Sequence, residues 1–211
     1  MKKGTVLLII GMGIFLGTKA QQRVVAECTI TYTVAAADSA TDKELSESLK
    51  TAGKTIYIKG NEGRADITGA AYTQSTFFDK TNGTVVVLRE FGNNKFMTRL
   101  DNTQWAAANK KFAGDVFIPA SETKTVLGYE CKKGMLQLKD GGSFTVYYAS
   151  NIIASVKELE YEFKDIPGVV LEYEEQDATG KKIRYTATKI NLSPVPASKF
   201  DIPTSGYRIL N

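Results

Sequence analysis

Cys28-Thr29-Ile30-Thr31-Tyr32-Thr33-Val34 is the stretch that decides the fold. Cys28, Ile30, Tyr32 and Val34 hold the even positions and threonines the odd ones. A period of two built from strand-forming side chains reads as a half-buried strand. Towards the C-terminus, strand signals recur at residues 54–59, 64–68, 72–79, 84–91 and 95–100. Between them stand Asn61-Glu62-Gly63, Asn82-Gly83 and Asn93-Asn94, residues that tolerate the positive φ of tight hairpins. Strands this close in sequence pair antiparallel, so the spacing predicts a meander. After a less regular stretch holding Trp105, the pattern resumes at 124–133, 135–139 and 143–148, with Asp140-Gly141-Gly142 as a turn. Residues 169–175 and 182–191 flank Asp177-Ala178-Thr179-Gly180 and read as a final long hairpin.

Three segments depart from this pattern. Thr41-Asp42-Lys43-Glu44 has the spacing of a capping box, with Leu45, Leu49 and Ala52 on one helical face and Gly53 as a stop. Its narrow apolar stripe predicts one short helix lying on a sheet. Residues 156–163 suit a helix through Val156, Leu159 and Phe163 and a strand through Leu159, Tyr161 and Phe163, and both stay open. Pro194, Pro196 and Pro203 predict an extended edge segment that cannot donate a full ladder. No fixed-period repeat occurs, which argues against solenoids and propellers.

Lys2 and Lys3, the apolar run 6–16 and the small residues Thr18 and Ala20 read as a signal peptide over residues 1–20. The apolar core is too short to span a bilayer of about 30 Å, and Gln21, Gln22 and Arg23 follow it at once. Gln21, not a cysteine, follows the expected cleavage point, so no lipid anchor is expected. The expectation is a single β-rich domain over 21–211 in the periplasm or outside the cell. Removing residues 1–20 takes Lys2, Lys3 and Lys19, so 27 basic residues become 24 against 23 acidic ones. A nearly neutral domain has no strong field for nucleic acid or anionic lipid. Two cysteines in an oxidising compartment suggest a Cys28–Cys131 disulfide closing a loop of about a hundred residues. Two separate buried thiols are the alternative.

Leu127-Gly128-Tyr129-Glu130-Cys131-Lys132-Lys133, then Lys139-Asp140-Gly141 before Phe144-Thr145-Val146-Tyr147-Tyr148, carry a resemblance. With Ile166-Pro167-Gly168-Val169-Val170-Leu171-Glu172 and the closing Pro196, Phe200, Ile202-Pro203 and Gly206-Tyr207, the chain resembles exported bacterial families of unknown function. One carries the signature Gly-Leu-Pro-Gly-Leu-Ile, matched in part here, with Asp165 at its first position and valines for its final Leu and Ile. Such families are similar to the lipoprotein-carrier half-barrel of the LolA/LolB type. The resemblance implies a mainly β, α+β fold: one curved antiparallel sheet or half-barrel with one or two short helices around an apolar hollow.

The chain contains no histidine. That removes Ser-His-Asp and Cys-His catalysis, imidazole zinc sites and the commonest general base near neutral pH. The cysteine spacing is not that of a redox pair, and no glycine-rich loop opens a helix as phosphate binding requires. No cofactor and no metal are expected. Glu158, Glu160 and Glu162, and Glu172, Glu174 and Glu175, could form paired carboxylates on strands, but each alternates with apolar residues as a solvated sheet face also does. Ten Phe, ten Tyr and Trp105 are enough to line a pocket or to fill a core. Phe77 beside Phe78, Trp105 beside Phe112, and Tyr147 beside Tyr148 are the candidate ligand-binding residues. Asp38-Ser39-Ala40 also resembles a short O-glycosylation sequon, although a plain turn explains it.

Three functions follow as expectations. The first is a non-enzymatic envelope protein holding a lipid or other apolar ligand in the concavity of its sheet. The second is an interaction or scaffolding module presenting sheet edges to envelope proteins. The third is a carboxylate-based hydrolase.

Overall fold

The computed structural model describes residues 22–38, 42–139, 142–176 and 182–210. The expected signal peptide, Ser39 and Ala40 of the sequon, Thr41 of the capping box, and the turns at 140–141 and 177–180 lie outside them. The chain begins with β1 (Arg23–Val25), β2 (Glu27–Ala36) and helix α1 (Lys43–Ser48). The meander follows as β3 (Gly53–Lys59), β4 (Glu62–Thr68), β5 (Tyr72–Asp79), β6 (Thr84–Phe91) and β7 (Asn94–Asp101). Helix α2 (Asn102–Ala108) leads to β8 (Val116–Val126), β9 (Tyr129–Gln137), β10 (Ser143–Ala149) and β11 (Ile152–Ala154). Then come β12 (Val169–Gln176), β13 (Lys182–Asn191) and β14 (Arg208–Leu210).

Twelve strands form one curved sheet in the order β14-β7-β6-β5-β4-β3-β2-β13-β12-β10-β9-β8, not closed into a barrel. Every pairing in it is antiparallel except β14 on β7. β1 and β11 form a separate parallel pair. The mainly β, half-open architecture, with two short α-helices among the described residues, agrees with the sequence-based expectation. In β2 the even residues are the buried ones, as the alternation requires, and Ile56 and Ile58 of β3 continue the same apolar face.

Residues 155–168 fill the concave side. They form neither helix nor strand of any length but two 3₁₀ turns, Lys157–Leu159 and Tyr161–Phe163. Val156, Leu159, Phe163 and Ile166 enter the main core with Ile30, Ile56, Val146 and Leu171. Two glycines allow this plug to seat. A Cβ on Gly63 would lie 3.1 Å from Leu159 and 3.2 Å from Val156, and one on Gly168 would lie 2.4 Å from the Ala149 carbonyl oxygen. The glycine of the partial signature is therefore a close-approach residue where the plug rejoins the sheet. On the other face, Phe77, Val86, Leu88 and Met97 form a second cluster covered by Ile202 and Tyr207. Arg64 packs on Tyr57 and Phe77 and donates to the Lys199 carbonyl at 2.8 Å, fastening this C-terminal segment.

Several expectations need correcting. Residues 124–133 are not one strand: β8 turns into β9 at Leu127-Gly128, with φ of 52° and 80°, the signs of a type I′ turn. The irregular stretch holding Trp105 is α2, closed at its start by a reciprocal Asp101/Gln104 capping box. The α1 cap is Asp42, which accepts from the Leu45 amide at 3.0 Å, and Gly53 already belongs to β3. In the proline-bearing tail, Ala197–Phe200 is a 3₁₀ turn, and the edge strand is β14 beyond it. Cys28 and Cys131 are free, buried thiols, with β13, β12 and β10 between the strands that carry them. At about 4.8 Å per strand, that spacing does not bring two Cα atoms within the 7 Å or so a bridge needs.

Candidate functional site

Lys54 is the most unusual side chain under the plug. It is in phase with Ile56 and Ile58 on β3, so the alternation that buries them buries the lysine as well, to 4 % exposure. That phase is visible in the sequence and is the signal that finds this residue. Its Nζ donates to Glu160 at 2.6 Å and to the Tyr173 hydroxyl at 2.8 Å. Around it stand the rings of Tyr32, Phe163, Tyr173 and Tyr185, with centroids 4.9–5.9 Å from the nitrogen. Tyr173 and Tyr185 are cross-strand partners stacked at 4.6 Å with rings 5° apart. Tyr32 donates to the Val170 carbonyl at 2.8 Å and Tyr185 to Glu175 at 2.9 Å. A cation between aromatic faces and a carboxylate is a stable arrangement only because each polar atom has a partner.

The electrostatics follow from that enclosure. Burial pulls the Lys54 ammonium down, but Glu160, Glu162 and Tyr32 together carry it above its ordinary value. Burial raises the Glu162 carboxyl; Lys54 opposes this, and Glu160 and Glu175 reinforce it. Burial, with Glu160 next, holds the Tyr173 hydroxyl well above the usual tyrosine range. The same two causes push the Cys28 thiol up to about 11. An ammonium held protonated has no lone pair for nucleophilic attack or Schiff-base formation, and a thiol at that value is not a thiolate. The cluster is built to hold a charge in place.

The space left around it is small. Between sheet and plug lies a cavity of about 30 Å³ lined by Ile30, Ile56, Ile58, Leu159, Phe163 and Val170. Beyond Phe163, another of about 20 Å³ is bounded by Phe112, Phe144, Glu162, Tyr173 and Glu175. Each has room for about one water.

The predicted ligand-binding residues Phe77, Trp105, Phe112 and Tyr147 do not share a pocket. Phe77 belongs to the cluster on the opposite face. Trp105 packs against the main core and donates through Nε1 to the Glu158 carbonyl at 3.1 Å, bracing the plug from outside. Phe112 borders the smaller cavity. Tyr147 lies on the outer face, donating to Glu122 at 2.8 Å beneath the Lys124 ammonium. Their neighbours divide as well: Phe78 is in the main core, and Tyr148 meets Phe117 edge-on at 5.4 Å.

The two glutamate trios also separate. Glu160 and Glu162 reach inward, whereas Glu158 pairs with Lys80 at 3.3 Å. On β12, Glu172 pairs with Lys124 at 2.6 Å and Glu174 with Arg184, while Glu175 accepts from Tyr185. Among the described residues no group of three or more Cys, Asp or Glu is arranged to hold a metal ion. No helix among them is long and apolar enough to cross a membrane.

The open edge at β8 contrasts with the filled concavity. Among the described residues this eleven-residue strand pairs with β9 alone, and between Pro119 and Thr123 the register shifts, so that Ala120, Ser121 and Glu122 stand against one residue of β9. Val116 and Ile118 are exposed, and Met135, opposite Ile118, is exposed with them. Beyond this apolar start the same strand carries Glu122, bonded to Lys133 at 2.6 Å, and Lys124. The absent aromatic character of this patch is why a search for ligand-binding rings passes over it.

No protein-family model and no curated protein matches the chain. Among solved structures it is similar to PNGF-II in its P21 crystal form, with 16 % identity and a TM-score of 0.51 over 88 % of this chain and 32 % of that one. The C2 form of PNGF-II gives 16 % identity and 0.49 over 87 % and 30 %, and MucB gives 9 % and 0.35 over 85 % and 58 %. The chain thus spans about a third of PNGF-II. The likeness is one of fold.

Proposed function

We propose that the protein is a non-enzymatic exported module that binds an extended, uncharged strand of a partner protein along the β8 edge. The observation that carries this reading is the pairing of a filled concavity with an open edge. An acyl chain needs a pocket of several hundred Å³, and the space beneath the plug is about 30 Å³. Opening it would expose Val156, Leu159, Phe163 and Ile166. At about 1.5–3 kcal/mol per buried apolar side chain, that costs on the order of 10 kcal/mol, comparable with the whole stability of a domain. The plug is therefore core and not a lid, which weighs against a carrier of lipid in the hollow.

The edge has what strand addition needs: a backbone side with no partner strand among the described residues, and the exposed side chains of Val116, Ile118 and Met135 beside it. Glu122 and Lys124 are already paired within the chain, so the edge favours a partner without charge. Export by a cleaved signal peptide and membership of an envelope family of the signature type described above belong to the same proposal.

The test is to isolate the mature protein from its native envelope without detergent and analyse it for lipid and for a stoichiometric partner. The expected result is no stoichiometric lipid, a partner at fixed ratio, and slowed hydrogen exchange of β8 amides in the complex. Val116→Lys and Ile118→Lys should release the partner without unfolding the domain. A stoichiometric lipid, or a partner retained by both variants, would overturn the reading.

A further inference from the structure

The interior cluster carries an imbalance that the edge-binding reading does not use. Lys54 supplies one positive charge, while Glu160, Glu162 and Glu175 supply three carboxylates within its electrostatic reach or that of its neighbours. Glu160 is bonded to the ammonium at 2.6 Å, and Glu175 accepts from Tyr185. Glu162, a half-buried residue of the plug, borders the small cavity together with Glu175, Phe112, Phe144, Phe163 and Tyr173.

The groups around Glu162 come from every layer. β3 brings Lys54 and β12 brings Tyr173 and Glu175, while β13 brings Tyr185. The plug brings Glu160, and β2 brings Tyr32 and Cys28 against Glu160 and not against Glu162 itself. In the turn Lys110–Phe112, Lys111 is drawn over the Phe112 ring, 4.6 Å from its centroid. Within this set Lys54 already shares its charge with Glu160 and with the aromatic faces. Glu162, the second carboxylate on the plug, is repelled by Glu160 and Glu175; the Lys54 charge and a hydrogen bond from its own backbone offset part of this, without a hydrogen bond to the ammonium.

We propose that the plug is a proton-operated latch: neutralising Glu162 in mild acid tightens residues 155–168 against the sheet, and ionising it loosens them. The sign follows from linkage. Burial sets the Glu162 carboxyl above its ordinary value of 4.5 in the folded protein. Its protonation thus favours the folded plug; the gain is complete below the ordinary value and is lost as pH rises through the raised one. Loosening by one charge is far short of opening the hollow, so the latch tunes the plug's rigidity and does not restore a carrier.

The experiment is hydrogen exchange of the Leu159 and Phe163 amides in the intact mature protein, corrected for intrinsic exchange, from pH 4.5 to 8. Protection should fall as pH rises, by up to about tenfold per pH unit, the limit for one proton. Glu162→Gln should flatten that slope and give the acid level of protection at pH 8. Glu175→Gln should keep the slope but move it to lower pH, because one source of repulsion is removed. It serves as the independent arm should the first variant fold poorly. A wild-type slope unchanged in either variant, or protection that rises with pH, would overturn the proposal.

Discussion

Around β12, lysine, glutamate and tyrosine meet on both faces of the sheet. On β12, Tyr173 points in towards Lys54 and Glu160, while its neighbour Glu172 points out towards Lys124, with Tyr147 beneath. Both ion pairs measure 2.6 Å. The contrast lies in the lysines: Lys54 is 4 % exposed beside Glu160 at 20 %, whereas Lys124 is 37 % exposed beside Glu172 at 12 %, and the adjoining Lys133 and Glu122 are 33 % and 54 %. Equal distances therefore conceal unequal energetics. In the interior each charge depends on its partners because water cannot replace them. On the outer face water can, and the same contacts become adjustable. The inner cluster fixes the plug, and the outer one leaves the β8 side of the sheet free to rearrange around a partner.

Substitutions can break this contrast in order of expected size. Lys54→Met strands Glu160 and should cost about 3–5 kcal/mol in chemical denaturation, with much of the loss recovered in the Lys54→Met/Glu160→Gln double variant. A single variant as mild as a surface mutant would erase the contrast. Tyr173→Phe removes a hydroxyl bonded to a buried ammonium and should cost about 1.5–3 kcal/mol while leaving the ring stack with Tyr185 in place. Lys124→Met should cost less than either of these, because its own side chain is solvated and Glu172 keeps the Thr186 hydroxyl as a donor at 3.2 Å. Lys133→Met should not shift the melting temperature measurably, and raising salt should leave that result unchanged. A clear loss for Lys133→Met would mean that the outer ladder is as rigid as the inner one.

The parts of this fold with a period were legible in the sequence. Threonine alternation placed β2, and the Asn82-Gly83 hairpin forms with Gly83 at a φ of 63°. The Leu127-Gly128 turn escaped because an apolar residue at positive φ defies the usual turn chemistry, so its two strands merged into one. The plug escaped because 3₁₀ turns leave no periodic trace. β1 and β14 are three residues each, too short for any pattern, and both pair in parallel. For the interior cluster, the phase of Lys54 with Ile56 and Ile58 was readable. What was not readable was the set of partners, which arrive from positions more than a hundred residues away.

β2, near the start of the chain, lies in the middle of the sheet, with β3 on one side and β13 on the other. The β2–β13 seam joins Thr29 to Asn191 and Ala36 to Ile183, so β2 waits for a strand about 150 residues further on. Closing so long a loop before the seam is rewarded makes folding slow. The β3–β7 meander can form early, but it then presents β3 with an empty flank until the N-terminal strand docks, and β2 with an empty flank until β13 arrives. A chain with that order of events leaves the centre of its sheet, and not an edge, as the last part to close.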